Sequence, residues 1–431
     1  MKENRAASRH RWLDYDKSTE ILSGLKGWLL SDEKYEDHVK AIEARIGRFG
    51  FKSVDGQRLD ESDAISSVAD EWKSSEGRAR LTGRTPVSLD RDRILYSEDL
   101  RRQDDKFHVL FFGATRLSRT YTSHTLKSAH VARAVAPRLG LNPELTEAMV
   151  LGSKVGGVPF LHVGKKIVAE WVQERIASLD ADHLGDHGSN SSLFDFDVRT
   201  GEILPNWIEQ IKWGELRQKV ALYLPWATGL STAGAYASGQ QSYWSLSLNP
   251  YTLEPKSDAY LAQTMYGVWR HTLVKPTLVT SGFHHRLSLL GKRRAISDRN
   301  ATHEAVLGRY CDDITWILEN LSEASRVAAV DGTQTAQQAL GQKYQRELDD
   351  KVLSALATSD TGRLYTYFID DLVTTSKALM DSDGDPNAPA SEIEPLIRLS
   401  ERGQGTLDCM ETYLELNVFA HERIKFRNET L

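Results

Sequence analysis

The chain has 431 residues, 40% of them hydrophobic and 26% charged, with a formal net charge of −6 and a pI near 6.1. That balance excludes a disordered polyelectrolyte and argues against a bulk electrostatic grip on nucleic acid, and the length suits one large domain or two ordinary ones. Two cysteines, Cys311 and Cys409, are too few for a disulfide framework or a cysteine zinc site.

Helical periodicity dominates from one end to the other. Residues 1 to about 85 are charged and rich in Ser and Glu, and read as a helical extension whose first residues, MKENRAASRHRWLDYD, carry no signal-peptide core. No apolar run reaches the roughly 18 residues of a membrane span, so the expectation is a cytoplasmic protein without a membrane partner. Residues 86 to 330 form the central region. There Val131, Val135 and Leu139 recur at helical spacing and Gly140 supplies a stop. Asn142-Pro143-Glu144 then gives an N-cap, a first-turn proline and an early acid. The helix it starts carries Leu145, Ala148 and Met149 into Ser153 and Lys154, and Gly156-Gly157 ends it.

Val163, Ile167 and Trp171 mark a further helix. Strand signals are sparse, the best being Phe194 to Leu204, which alternates around Arg199-Thr200-Gly201. Tyr310, Ile314, Ile317, Leu318 and Leu321 mark another helix, with Asp312 and Asp313 riding on it. Residues 331 to 431 read as a C-terminal helical region of the same fold, interrupted by the loop Asp381 to Ala390. That loop imitates a calcium motif through Asp381, Asp383, Asp385, Asn387 and Glu392, but Pro386 sits where the motif needs a freely turning glycine, so it reads as an acidic turn. Asp182-His183-Leu184-Gly185-Asp186-His187 offers two histidines and two acids, yet Gly185 interrupts their helical spacing and it reads as a polar loop. Lys292-Arg293-Arg294 reads as a solvated basic loop.

Three segments carry a family resemblance. They are RDRILYSEDLRR (Arg91 to Arg102), TYTSHTLKSAHVARAVAPRLGL (Thr120 to Leu141) and VLGSKVGGVPFLHVGK (Val150 to Lys165). Together they resemble the HD-domain deoxynucleoside triphosphate triphosphohydrolases, the dGTPase family, whose third segment reads approximately A-H-D-x-G-H-x-P-F-G-H-A-G-E. Further similar stretches are Tyr251 to His271, Tyr310 to Ala324, Ile369 to Met380 and Leu396 to Ile424. The resemblance implies an all-α fold, an HD-type helical core with an N-terminal extension and a C-terminal helical cap. It also implies a divalent metal (Mg, Mn or Co) held by residues from three helices, activating water for attack at the α-phosphate of a dNTP.

Carried over residue by residue, the family's first ligand histidine falls on His124 and its last aspartate on Asp312. The His-Asp pair between them has become Ser153 and Lys154, a catalytic histidine has become Gly157, and a glutamate has become Lys165. His162 is the remnant of the motif's last histidine. Lys154 puts a positive charge where the ion would sit, and a like charge a few ångströms away opposes a cation by several kcal/mol, in order-of-magnitude terms, in a partly dry site. The expectation is therefore an ion pair between Lys154 and Asp312, no cofactor, and loss of metal-dependent hydrolysis. Lys106, His108, Arg119, Tyr121 and Trp316 are the candidate nucleotide-binding residues, with Phe107, His162 and Lys165 nearby in the resemblance.

The leading functional expectation is a pseudoenzyme of this family, a nucleotide-binding regulatory or assembly subunit. Its expected partners are a (deoxy)nucleoside triphosphate, further copies of itself in a hexamer, and an active homologue. Two alternatives stay open: an active phosphohydrolase using a rearranged metal site, and a nucleic-acid-binding module.

Overall fold

The structure, a computed structural model, describes residues 32–55, 83–104, 106, 119–158, 164, 167, 170, 194–197, 202–205, 238–247, 260–271, 301–330, 334–382 and 396–420. Helices dominate them, and the fold is all-α as the sequence predicts. The one strand pair among the described residues lies where alternation predicts it. Strand β1 (Phe194–Asp197) pairs antiparallel with β2 (Glu202–Pro205), Phe194 opposite Pro205 and Asp197 opposite Glu202. The acidic loop from Asp383 onward, the Asp182–His187 cluster and the basic run at Lys292 lie outside the described residues.

Helix α1 (Asp32–Glu43) precedes a 3-10 turn at Ser53–Asp55. Helix α2 (Pro86–Leu95) starts at Thr85, whose side chain accepts from the Ser88 amide, with Pro86 in the first turn. Short α3 (Glu98–Arg101) follows. Helix α4 (Tyr121–Val135) tightens into a 3-10 turn at Ala136–Leu139, where Pro137 withholds an amide from the α pattern, and stops at Gly140 with φ 67°. The expected start of α5 (Pro143–Ser153) is present in detail: Asn142 accepts from the Glu144 and Leu145 amides. Helices α6 (Ser238–Ser247) and α7 (Ala262–Arg270) come next, then the long α8 (His303–Val330). Four more helices follow: α9 (Ala336–Lys343), α10 (Asp350–Ala357), α11 (Thr361–Ser382) and α12 (Glu401–Tyr413). The last runs into a π-helical turn at Leu414–Phe419. Of the helix expected around Ile167, the positions Gly164, Ile167 and Glu170 are described as helical.

Helix α5 is the hub, packed on α2, α4, α7 and α8. Leu145, Ala148, Met149, Val150 and Leu151 are all buried, so this helix hides every face, as a central core helix must. Each such Leu or Met contributes about 1.5–3 kcal/mol by leaving water. Gly152 lets α7 and α2 close on the end of α5, since a Cβ there would lie 2.5 Å from Val268 and 3.2 Å from Ile94. One continuous apolar cluster runs from Phe49 to Val418, joining helices on both sides of residue 330. None of the described helices is long and apolar enough to cross a membrane.

Two buried carboxylates fix the frame. Asp90 of α2 accepts from the Leu261 amide at 2.7 Å and the Thr264 hydroxyl at 2.9 Å, capping α7, whose own N-cap residue is the apolar Leu261. Glu304, at the start of α8, accepts from the amides of Phe51 (2.7 Å) and Asn142 (2.8 Å) and so ties three distant segments together. Burial pushes the Glu304 carboxyl up from its ordinary value, against those two amides.

Candidate functional site

Four helices converge on one carboxylate. Helix α4 is held at its N-terminus by a reciprocal capping box: Thr120 accepts from the Ser123 amide and Ser123 from the Thr120 amide. This places Tyr121 and His124 on its inward face, both buried. From α8, Asp312, Glu319 and Glu323 project at i, i+7 and i+11 along one face. The end of α5 delivers Ser153 and Lys154, and the end of α7 delivers His271.

Lys154 Nζ lies 2.5 Å from Asp312 Oδ2, the contact expected from the sequence. His271 Nε2 approaches the same oxygen at 2.9 Å, and His124 Nε2 stands 3.2 Å from Oδ1 without the direction of a good hydrogen bond. Burial works to raise the Asp312 carboxyl, but the Lys154 charge, then His271 and His124, outweigh it and hold it well below the usual carboxylate range. Burial also lowers the His271 imidazole from its ordinary value, with Asp312 opposing and Lys154 assisting.

The second nitrogen of His124, Nδ1, lies 2.8 Å from Glu319 Oε2. Glu319 also meets Arg119 and the Lys127 ammonium, the latter at 2.8 Å, while Arg119 Nη2 reaches Glu323 at 2.8 Å and Asn320 at 3.3 Å. Burial opposes charge on Glu319 too, yet His124 and Arg119 bring its carboxyl down to about 2. A chain of polar contacts thus runs Lys154, Asp312, His124, Glu319, Arg119, Glu323.

A catalytic ion needs three or four convergent donors. The Ser153 hydroxyl turns back to donate to the Val150 carbonyl at 2.8 Å, and its carbonyl accepts from Ser242 of α6. Both Asp312 oxygens are approached by nitrogen, one of them from an ammonium. Among the described residues no three His, Cys, Asp or Glu side chains are disposed to hold a metal ion. This donor set does not fit a metal.

The space beside the carboxylate is filled as well. At Gly157 a Cβ would lie 3.0 Å from Gln103 Oε1, 3.1 Å from Tyr121 Cε1 and 3.1 Å from the Lys154 carbonyl. Gln103 is held there by donating to the Val155 carbonyl at 2.7 Å. Burial, reinforced by the Asp312 charge, pushes the Tyr121 phenol up. Lys106 Nζ donates to the Gly157 carbonyl at 2.5 Å, and burial, then Arg102, brings its ammonium down to about 8.

The structure therefore brings Lys106, Tyr121, His124, Lys154 and Asp312 together. Arg119 is one step away, engaged by two carboxylates, and the Trp316 ring packs on Phe419 with centroids 5.8 Å apart. Phe107, His108, His162 and Lys165 lie outside the described residues. Sequence reasoning missed His271, Glu319 and Gln103. The signal for Glu319 was its i+7 spacing from Asp312, and His271 closes the family-like stretch that begins at Tyr251.

Next to this cluster, across Arg119 and Glu319, a groove of about 1640 Å³ opens between α4, the second half of α8 and the start of α11. Lys127, His130 and Arg138 stand on its α4 side, and Tyr365 and Ile369 on its α11 side.

No family model matches the chain. It is similar to the deoxyguanosinetriphosphate triphosphohydrolase-like protein of Caldanaerobacter subterraneus subsp. tengcongensis, 39% identical over 108 residues, which are 24% of this chain and 32% of that one. The protein of the same name from Desulfatibacillum aliphaticivorans is 39% identical over 114 residues, 26% of this chain and 32% of its own length. That of Clostridium perfringens is 31% identical over 140 residues, 32% of this chain and 36% of its own length. The chain spans about a third of the length of the curated relatives it matches. Over about a quarter to a third of its length this all-α chain is thus similar to deoxyguanosinetriphosphate triphosphohydrolase-like proteins.

Proposed function

We propose that this chain is a triphosphohydrolase homologue that has exchanged its catalytic metal for an ion pair and serves as a nucleotide-binding regulatory or assembly subunit. The observation that carries the reading is the 2.5 Å contact between Lys154 and Asp312. An ammonium in that place satisfies the carboxylate that a metal would otherwise neutralise, and its charge repels a cation. Tyr121 and Gln103 support the same reading by occupying the room beside Gly157. In the family the metal would supply the activated water, so its replacement by an ammonium removes that nucleophile.

Binding is a separate matter from hydrolysis, and the relatives' names make deoxyguanosine triphosphate the nucleotide to try first. Self-association into a hexamer and pairing with an active homologue belong to the same proposal. The test is metal content by inductively coupled plasma spectrometry, together with hydrolysis of all four dNTPs supplied with Mg, Mn or Co. The expected result is no stoichiometric transition metal and no release of triphosphate. Stoichiometric metal, or turnover that Asp312→Asn abolishes, overturns the proposal in favour of a rearranged active site. A DNA mobility shift that weakens steeply with salt would give the protein a nucleic-acid role instead.

A further inference from the structure

We infer that the groove between α4, α8 and α11 is a binding site for a phosphorylated small molecule with an apolar ring body, a nucleotide in chemical class. The inference rests on the ligand-binding half of the role proposed above and moves the ligand out of the filled cluster around Asp312.

Charge gives the first argument. Each carboxylate lining the groove already has a cationic partner: Glu319 has Lys127, Glu323 has Arg119, Asp370 has Arg138 and Asp360 has Arg363. Arg326 and His130 also line it, are exposed, and make no ion pair among the described residues. The charge left over is positive.

The pairs at the rim are loose, which gives the second argument. Arg138 and Asp370 are 48% and 58% exposed, and Arg363 and Asp360 are 65% and 42% exposed. Exposed pairs of this kind contribute little, so either guanidinium can turn to a phosphate and form a stronger, forked contact. The starts of α9 and α11 meet at the same wall. Gln337 Nε2 donates to the Thr361 hydroxyl at 3.0 Å, and the Thr335 and Ser359 hydroxyls lie 3.1 Å apart.

Shape and polarity give the third argument. Leu126 and Val131 on the α4 side and Tyr365 and Ile369 on the α11 side add apolar surface among the cations, and Leu126 is 45% exposed. A volume of about 1640 Å³ exceeds what a bare phosphate needs and is ample for a nucleoside with its phosphate chain.

Isothermal calorimetry on the full chain, with dGTP, deoxyguanosine and inorganic triphosphate as separate probes, tests this. Saturable dGTP binding is expected, with each half-ligand at least roughly tenfold weaker, because the ring and the phosphates use different side chains. Arg326→Glu and Arg363→Glu should each weaken dGTP about tenfold or more, as loss and reversal of a charged contact predict, with the melting temperature unchanged. Lys106→Glu, in the filled cluster, should leave binding intact. If Lys106→Glu abolishes binding while both groove variants bind normally, the ligand sits at the old site: the inference falls and the proposed function stands. If no probe binds at millimolar concentration, both fall. If inorganic triphosphate binds as tightly as dGTP, the groove is an anion site without ring recognition, and the inference is wrong about ligand class.

Discussion

The cluster around Asp312 and the groove beside it share Arg119 and Glu319, yet they treat charge in opposite ways. In the cluster the Asp312 and Glu319 carboxylates are buried and met by nitrogen at 2.5–3.2 Å. Along the groove the pairs are half-exposed and the volume is open. The difference teaches where energy resides. Buried pairs are costly to break because a lone charge is stranded, whereas exposed ones exchange partners almost freely. The first region is thus built for stability and the second for exchange.

The largest effect that would break this contrast is at Lys154. Lys154→Ala should destabilise the fold by ~3 kcal/mol, read from urea denaturation, because it withdraws the main counter-charge from a buried carboxylate. A neutral outcome would mean that Asp312 is satisfied by its histidines alone. Next is Gly157→His, which restores the residue the family carries there. It should cost about 1–3 kcal/mol by forcing Tyr121 and Gln103 aside, and thermal melting checks whether that space is truly full.

A pH titration sharpens the comparison further. The folded Asp312 and Glu319 carboxyls lie below the ordinary range, so their stabilisation is complete above the unfolded value near 4 and is lost as pH falls, Glu319's around pH 2. His271 acts in the same direction at milder acidity, since its buried ring resists the proton that the unfolded chain accepts below about pH 6.5. Glu319→Gln should therefore flatten the acid limb of the stability curve, and an unchanged limb would remove Glu319 from the chain of contacts. The smallest effect belongs to the groove. Arg138→Ala should change stability by no more than about 0.5 kcal/mol in the same urea assay, as for an exposed ion pair.

The frame was more legible in the sequence than the site. Asn142-Pro143, Gly140 and the apolar spacing of α8 are local signals, and each produced its element. The hairpin at Phe194 was equally local. The pairing of Lys154 with Asp312 was also foreseen, because a charge reversal at a ligand position has one obvious partner. His271 and Gln103 were not foreseen, since their roles depend on where α7 and the chain after α3 are carried, which no local spacing records. Arg119 illustrates the remaining gap. Its charge suggested phosphate, but two acids on a helix some 200 residues away claim it first.

The carboxylate of Glu304 has a consequence for the order of assembly. It accepts amides from Phe51 and Asn142, residues 253 and 162 positions earlier in the chain. A nascent chain emerging from the ribosome thus exposes those two amides, and the apolar α5 beside them, until α8 has been synthesised. Such long sequence separation slows closure of the core and lengthens the time in which a chaperone can engage it.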